Sequence, residues 1–203
     1  MLKRSKLLAV LSFITAIASP MASAAVIEQS AGQFDATIAA FDPIGQTFVA
    51  EDALLGQIAF AFSRNTNTPS DGLVTMTLYG GSGFAGAALG SVVMNLSGPL
   101  PGALDPPQFI DFDFSGVGLT VGNTYTAAVT ANDFSISVVY NGNDAYANGL
   151  LLESHPTSNL CTNGCDLNFR VTPAVAAVPL PAAVWLFGSG LLGLMSLVRR
   201  KKR

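Results

Sequence analysis

The chain has no lysine between Lys6 and Lys201, and between Lys6 and Arg199 only Arg64 and Arg170 supply positive charge. All thirteen acids fall in that same stretch, so two cations against thirteen anions leave its net charge near −11. Nothing in such a segment can neutralise a row of phosphates, which excludes nucleic-acid binding. The sign suits a soluble surface outside the cell and an affinity for cations such as Ca²⁺. Histidine is nearly absent as well: His155, followed by Pro156, is the only one. A Ser-His-Asp relay would have to rest on that loop residue, and no G-x-S-x-G elbow accompanies it. One histidine and one cysteine pair are too few for a tetrahedral zinc site. Gly81 to Gly86 and Gly188 to Gly193 both fit G-x-G-x-x-G, but neither opens a helix inside a βαβ unit, so no dinucleotide site is expected. No catalytic residue is assigned.

What the chain does have is concentrated first at its ends. Lys3, Arg4 and Lys6 precede an apolar run from Leu7 to Ile17, and Ala22-Ser23-Ala24 follows. A charged start, a short apolar stretch and small residues at the cleavage position describe a secretory signal peptide over residues 1–24. The run falls short of the roughly 20 residues that span a bilayer. A signal peptidase is expected to cut after Ala24, with Ala25 the next choice. At the other end, Ala182 to Val198 carries no charge, and Arg199, Arg200, Lys201, Lys202 and Arg203 close the chain. Seventeen residues rise about 25 Å as a helix, the short end of a membrane span. The five terminal cations stop transfer and stay cytoplasmic, which leaves the preceding domain outside. Trp185 suits the opposite interface.

Val178-Pro179-Leu180-Pro181-Ala182, then Val184 to Gly188, a glycine-broken apolar helix and a basic terminus, resemble the PEP-CTERM sorting signal in its VPLPA variant. The resemblance covers residues 178–203. It implies export by the general secretory route, processing near the proline motif by an exosortase (an integral-membrane cysteine protease), and association with exopolysaccharide production. Leu180 stands where the commonest form has an acid, so the exosortase subtype and scissile bond stay open. Pro179 and Pro181 remove backbone donors and hold the segment extended, as a protease requires. A plain uncut anchor is the alternative.

Residues 25–177 remain, about the size of one ordinary domain. Cys161 and Cys165 flank Thr162-Asn163-Gly164. In an exported chain a close pair of this kind forms a disulfide more often than it stays reduced, and Asn163-Gly164 is a turn signal that brings the two together. Apolar residues recur with period two: Ile58, Phe60 and Phe62; Val74, Met76 and Leu78; Val92, Met94 and Leu96; Ile110, Phe112 and Phe114; Tyr125, Ala127 and Val129; Phe134, Ile136, Val138 and Tyr140; Leu167, Phe169 and Val171. This alternation puts one face of each strand in a core. Gly, Pro, Asn and Asp clusters separate the runs. With 46–50 as the first, about eight strands are expected, in an all-β antiparallel sandwich of jelly-roll type, flanked by a signal helix and a transmembrane helix over 182–198. Gln46-Thr47-Phe48, Thr77 to Gly83, Phe112-Asp113-Phe114, Gly122 to Tyr125, Asp144-Ala145-Tyr146 and Asp166 to Arg170, in that order, resemble the sugar-binding-like jelly-roll ectodomains of exported bacterial proteins. That resemblance implies the fold more than any ligand.

Three candidates remain in the domain. Asp111 and Asp113 share one face of a strand, about 6.5–7 Å apart. They fit a solvated outer face, a pair of Ca²⁺ ligands, or an acid/base pair for glycoside chemistry, the first being the commonest outcome. Tyr146 is the best-placed aromatic for stacking on a sugar ring. No other cofactor is expected. The partners expected are signal peptidase, an exosortase, the membrane for the precursor, and exopolysaccharide. The expected function is that of an exported, non-enzymatic cell-surface or extracellular-matrix protein. A secreted carbohydrate-active enzyme and an inert structural surface protein are the alternatives.

Overall fold

A computed structural model of the chain describes residues 25–64, 72–96, 100–102, 105–106, 108–155, 160–161 and 164–174. The signal peptide with Ala22 and Ala24, the sorting motif from Val178 to Ala182, the apolar segment 182–198 and the cations from Arg199 to Arg203 lie outside the described residues. Among those residues no helix is long and apolar enough to cross a membrane.

The elements run β1 (Ile27–Gln29), β2 (Phe34–Thr37), a single helical turn α1 (Ile38–Phe41), β3 (Ile44–Val49), β4 (Leu55–Arg64), β5 (Leu73–Gly80), β6 (Ala88–Asn95), β7 (Gln108–Asp113), β8 (Thr124–Ala131), β9 (Ile136–Asn141), β10 (Leu151–Glu153), β11 (Asp166–Leu167) and β12 (Phe169–Pro173). They form two sheets. One follows the path β1-β12-β4-β9-β11, with β2 on β9 and β7 on β4; the other has the order β10-β3-β8-β5-β6. All the paired strands are antiparallel. The protein is therefore all-β, and its two sheets share one core, an arrangement consistent with a β-sandwich.

Eight of these strands, β3 to β9 and β12, carry the period-two runs of the sequence. The other four span two to four residues each, too short to show a period. Alternation is the reason the core forms where it does: Ile58, Phe60, Phe62, Val74, Met76, Leu78, Phe112, Ile136 and Val138 are all fully buried. Phe62 meets Phe112 across the β4–β7 pair at 6.0 Å between ring centroids, and Phe48 meets Tyr125 across β3–β8 at 6.0 Å. A buried phenylalanine of this kind contributes about 1.5–3 kcal/mol through the water-excluded surface alone.

Two expectations need correction. The first described strand is Ile27–Gln29, not the segment at 46–50, which overlaps the third strand, Ile44–Val49, and runs one residue past it. Phe134 does not join the inward row of Ile136, Val138 and Tyr140: it precedes β9 and is 66% exposed. The cause is local. Asp133 Oδ1 accepts the Ser135 N–H at 2.7 Å and Asp133 O accepts the Ile136 N–H at 3.4 Å, closing a turn that puts Phe134 at its tip.

Candidate functional site

The buried polar residues converge on one place. Inward positions of β3 read Ile44, Gln46 and Phe48, so Gln46 sits among apolar neighbours and is fully buried. Its Nε2 donates to Asp166 Oδ1 at 2.8 Å and to Thr47 O at 3.1 Å, while its Oε1 accepts the Leu167 N–H at 2.8 Å. Asp166, equally buried, accepts the N–H groups of Ala145 and Tyr146 on Oδ2 at 2.7 and 2.8 Å. Gln46 belongs to the five-stranded sheet and Asp166 to the seven-stranded one, so this pair ties the two together and pins the loop between β9 and β10. Burial pushes the Asp166 carboxyl above its ordinary value, against the three hydrogen bonds that favour its charged form. A carboxylate with its acceptors filled in this way is a structural clamp.

Tyr146, the expected glycan contact, is held at that clamp. Its ring and that of Phe169 meet in a T-shaped pair at 5.2 Å and 74°, and its hydroxyl accepts the Val49 N–H at 3.3 Å. The side chain packs against the core, and desolvation raises the pKa of its phenol. Gly149 closes the same loop: a Cβ there would meet Thr47 O at 2.0 Å and Tyr146 Cε1 at 2.9 Å. The neighbouring Thr47 hydroxyl accepts the Leu150 N–H at 2.7 Å.

A second clamp stands next to the first in the chain. Asn168 is fully buried and interrupts β11 and β12; its Oδ1 accepts the Gly32 N–H at 2.7 Å. Its backbone donates to Val139 O at 2.8 Å and accepts from the Ala61 N–H at 2.9 Å. The turn between β1 and β2 is thereby fastened to three strands.

Asp111 and Asp113 do lie on one face of β7, opposite Ala59 and Gln57 of β4, but they serve different partners. Asp111 Oδ1 accepts from Arg170 Nη2 at 2.9 Å, an ion pair whose members are 39% and 29% exposed. Arg170 also lies 5.1 Å from the Phe109 ring centroid, a cation–π arrangement. Asp113 accepts the Ser115 N–H at 2.8 Å, and hydrogen bonds from the Ser115 hydroxyl and N–H hold its pKa below the ordinary carboxylate value. A Ca²⁺ ion bound by the pair would have to displace Arg170 from Asp111. Among the described residues no three His, Cys, Asp or Glu side chains gather as a metal site would require.

Cys161 and Cys165 are joined as a disulfide, with Cα atoms 5.9 Å apart. Gly164 carries the positive φ of 86° that the turn needs. Cys165 is buried and its carbonyl accepts the Leu151 N–H at 2.7 Å, so the bridge is fixed to β10.

Sequence reasoning placed Gln46, Asp166 and Tyr146 in separate motifs and did not join them. The usable signal was Gln46 itself, a polar side chain at an inward position of an alternating strand, which cannot be buried without a partner. The geometry defines an all-β domain stapled by buried polar clamps. The chain matches no known family model, and no curated protein matches it.

Proposed function

We propose that this is an exported cell-surface or extracellular-matrix protein, made as a membrane-anchored precursor and released or re-anchored by an exosortase that cuts near Val178–Ala182. The observation that carries the reading is the ordered tail: proline motif, seventeen uncharged residues and five terminal cations. Three features of the domain support it. A net charge near −11 suits an extracellular surface. The Cys161–Cys165 bridge suits an oxidising compartment. Two antiparallel sheets around one core suit a jelly-roll ectodomain of the sugar-binding-like type.

The protein acts without catalysis, in association with exopolysaccharide or biofilm matrix. Its buried carboxylate is engaged by three donors, and the carboxylates of β7 are engaged by Arg170 and Ser115. A purely structural surface role is the second reading, favoured by one observation: Tyr146 is spent on Phe169 and Val49.

The test is the intact mass of the protein from membrane, surface and medium fractions of its host, with and without the exosortase. A species that begins near Ala25 and ends between Pro179 and Ala182, lost when the protease is deleted, is expected. Retention of Arg203 in the membrane fraction under both conditions would make the tail a permanent anchor and remove the main support for matrix association.

A further inference from the structure

Six strands have a single hydrogen-bonded neighbour among the described residues and so form sheet edges: β1, β2, β6, β7, β10 and β11. Four of them carry a carboxylate that is not fully buried: Glu28 in β1, Asp35 in β2, Asp111 and Asp113 in β7, and Glu153 in β10; the two-residue β11 has only the buried Asp166. Charge on an edge strand is the usual guard against pairing with another chain. The sixth, β6, reads Ala88, Leu89, Gly90, Ser91, Val92, Val93, Met94 and Asn95, with no charge and no proline, and at eight residues it is the longest of the six.

The hydrogen-bond register tells which backbone groups face the open side. Leu96 N–H donates to Gly72 O at 3.1 Å, toward β5. Bonding alternates along an antiparallel strand, so Met94 and Val92 also point to β5, while Asn95, Val93 and Ser91 turn their N–H and C=O groups away from it. The side chains of those three stand on the outer face of the sheet beside Leu73, Thr75 and Thr77 of β5. Val93 is 58% exposed. On β8 the same side of the sheet also lacks charge, but there Thr126 and Ala128 are buried and Thr130 is half-buried.

We propose that β6 is a docking edge for a second copy of this chain, paired antiparallel with its own β6 about a twofold axis at Val93. That register sets Val93 against Val93 and Ser91 opposite Asn95, and joins two five-stranded sheets into one of ten. Charge argues for this occupant. Two domains near −11 each, counted over residues 25–177, repel wherever their acids meet, and among the described edges β6 is the one at which neither contributes a carboxylate. The twofold closes the assembly, so the product is a dimer. The proposal stands whether or not the tail is processed.

Sedimentation of the intact chain in mild detergent at tens of micromolar tests it, alongside Val93→Lys, which places like charges on the axis. A dimer is expected for the unaltered chain and a monomer for Val93→Lys with an unchanged melting temperature. A Val93→Cys variant supplies a second reading that needs no disruption. Cα atoms in a hydrogen-bonded antiparallel pair are about 5.5 Å apart, within disulfide reach, and the native cysteines are already joined. Oxidation should cross-link Val93→Cys and leave Val121→Cys, on an exposed turn before β8, without a covalent link. A monomeric unaltered chain, a dimer that survives Val93→Lys, or cross-linking no stronger at 93 than at 121 would overturn the proposal.

Discussion

Replacing Asp166 by asparagine keeps the shape of the side chain and changes one group from acceptor to donor. Wild-type Asp166 receives Gln46 Nε2 on one oxygen and the N–H groups of Ala145 and Tyr146 on the other. In Asp166→Asn the amide oxygen can keep the two backbone donors, but its NH₂ then faces the NH₂ of Gln46. Gln46 cannot flip to relieve this, because its Oε1 holds the Leu167 N–H at 2.8 Å. One charge-assisted bond is replaced by a donor–donor contact, and two others lose the charge. Removing a buried charge offsets part of this, which leaves a loss of about 2–4 kcal/mol. In a domain of this size that lowers Tm by roughly 5–15 °C. Urea denaturation with a fluorescence readout measures it. A loss below about 0.5 kcal/mol would mean that the clamp does not hold the sheets.

The pH dependence supplies a second, independent check on the same residue. Asp166 has its pKa raised by burial above 3.8. As pH falls toward 3.8 the folded protein takes up this proton before the unfolded chain does, so the Asp166 contribution to stability rises. It is greatest below 3.8 and is lost as pH rises through the elevated folded value. Asp166→Asn does not titrate there. The stability gap between wild type and variant should therefore widen on acidification across the range just above 3.8. A gap that narrows would show that the three hydrogen bonds outweigh desolvation and that the pKa is lowered.

Three further outcomes are expected. Gly149→Ala places a methyl against Thr47 O and Tyr146, which should cost about 1–3 kcal/mol by overpacking, read in the same urea titration. Cys161→Ser with Cys165→Ser opens a short loop and should cost about 2 kcal/mol on chain entropy alone, with the β-sheet circular dichroism unchanged below the transition. Ala25 N–H donates to Asp52 Oδ2 at 2.9 Å. If processing leaves Ala25 as the N-terminus, its ammonium will sit on that carboxylate, and Asp52→Asn should lower the Tm of the processed form more than that of the precursor.

Much of the fold was legible because it rests on a local rule. Alternation in β4 and β5 needs only one strand to be read, and the inward residues it names, Ile58, Phe60, Phe62, Val74, Met76 and Leu78, have no exposure. The short strands were illegible because two to four residues carry no period; β1 and β11 exist only through their partners, Phe169 to Val171 and Tyr140 to Asn141. Phe134 misled because alternation was extended two residues past a turn that Asp133 makes. The setting of Tyr146 was illegible for another reason. An aromatic in a polar loop gives no sign that the loop is tied down by a carboxylate twenty residues away. The Gln46–Asp166 contact spans 120 positions, and no local pattern announces it.

Charge shows the same limit from the other side. The count of thirteen acids was visible at once and bore only on compartment and partners. Their placement acquires a second meaning when the sheets are known, because four of the six edges carry an acid that is not fully buried and β6 carries none. Along the chain β6 is one apolar alternation among several, and nothing in its residues marks it as an edge. An uncharged strand in the middle of a sheet needs no explanation, since both its sides are paired. At an edge the same residues leave a row of amide and carbonyl groups open to another chain, and the acids elsewhere leave that row as the place where two like-charged copies can meet.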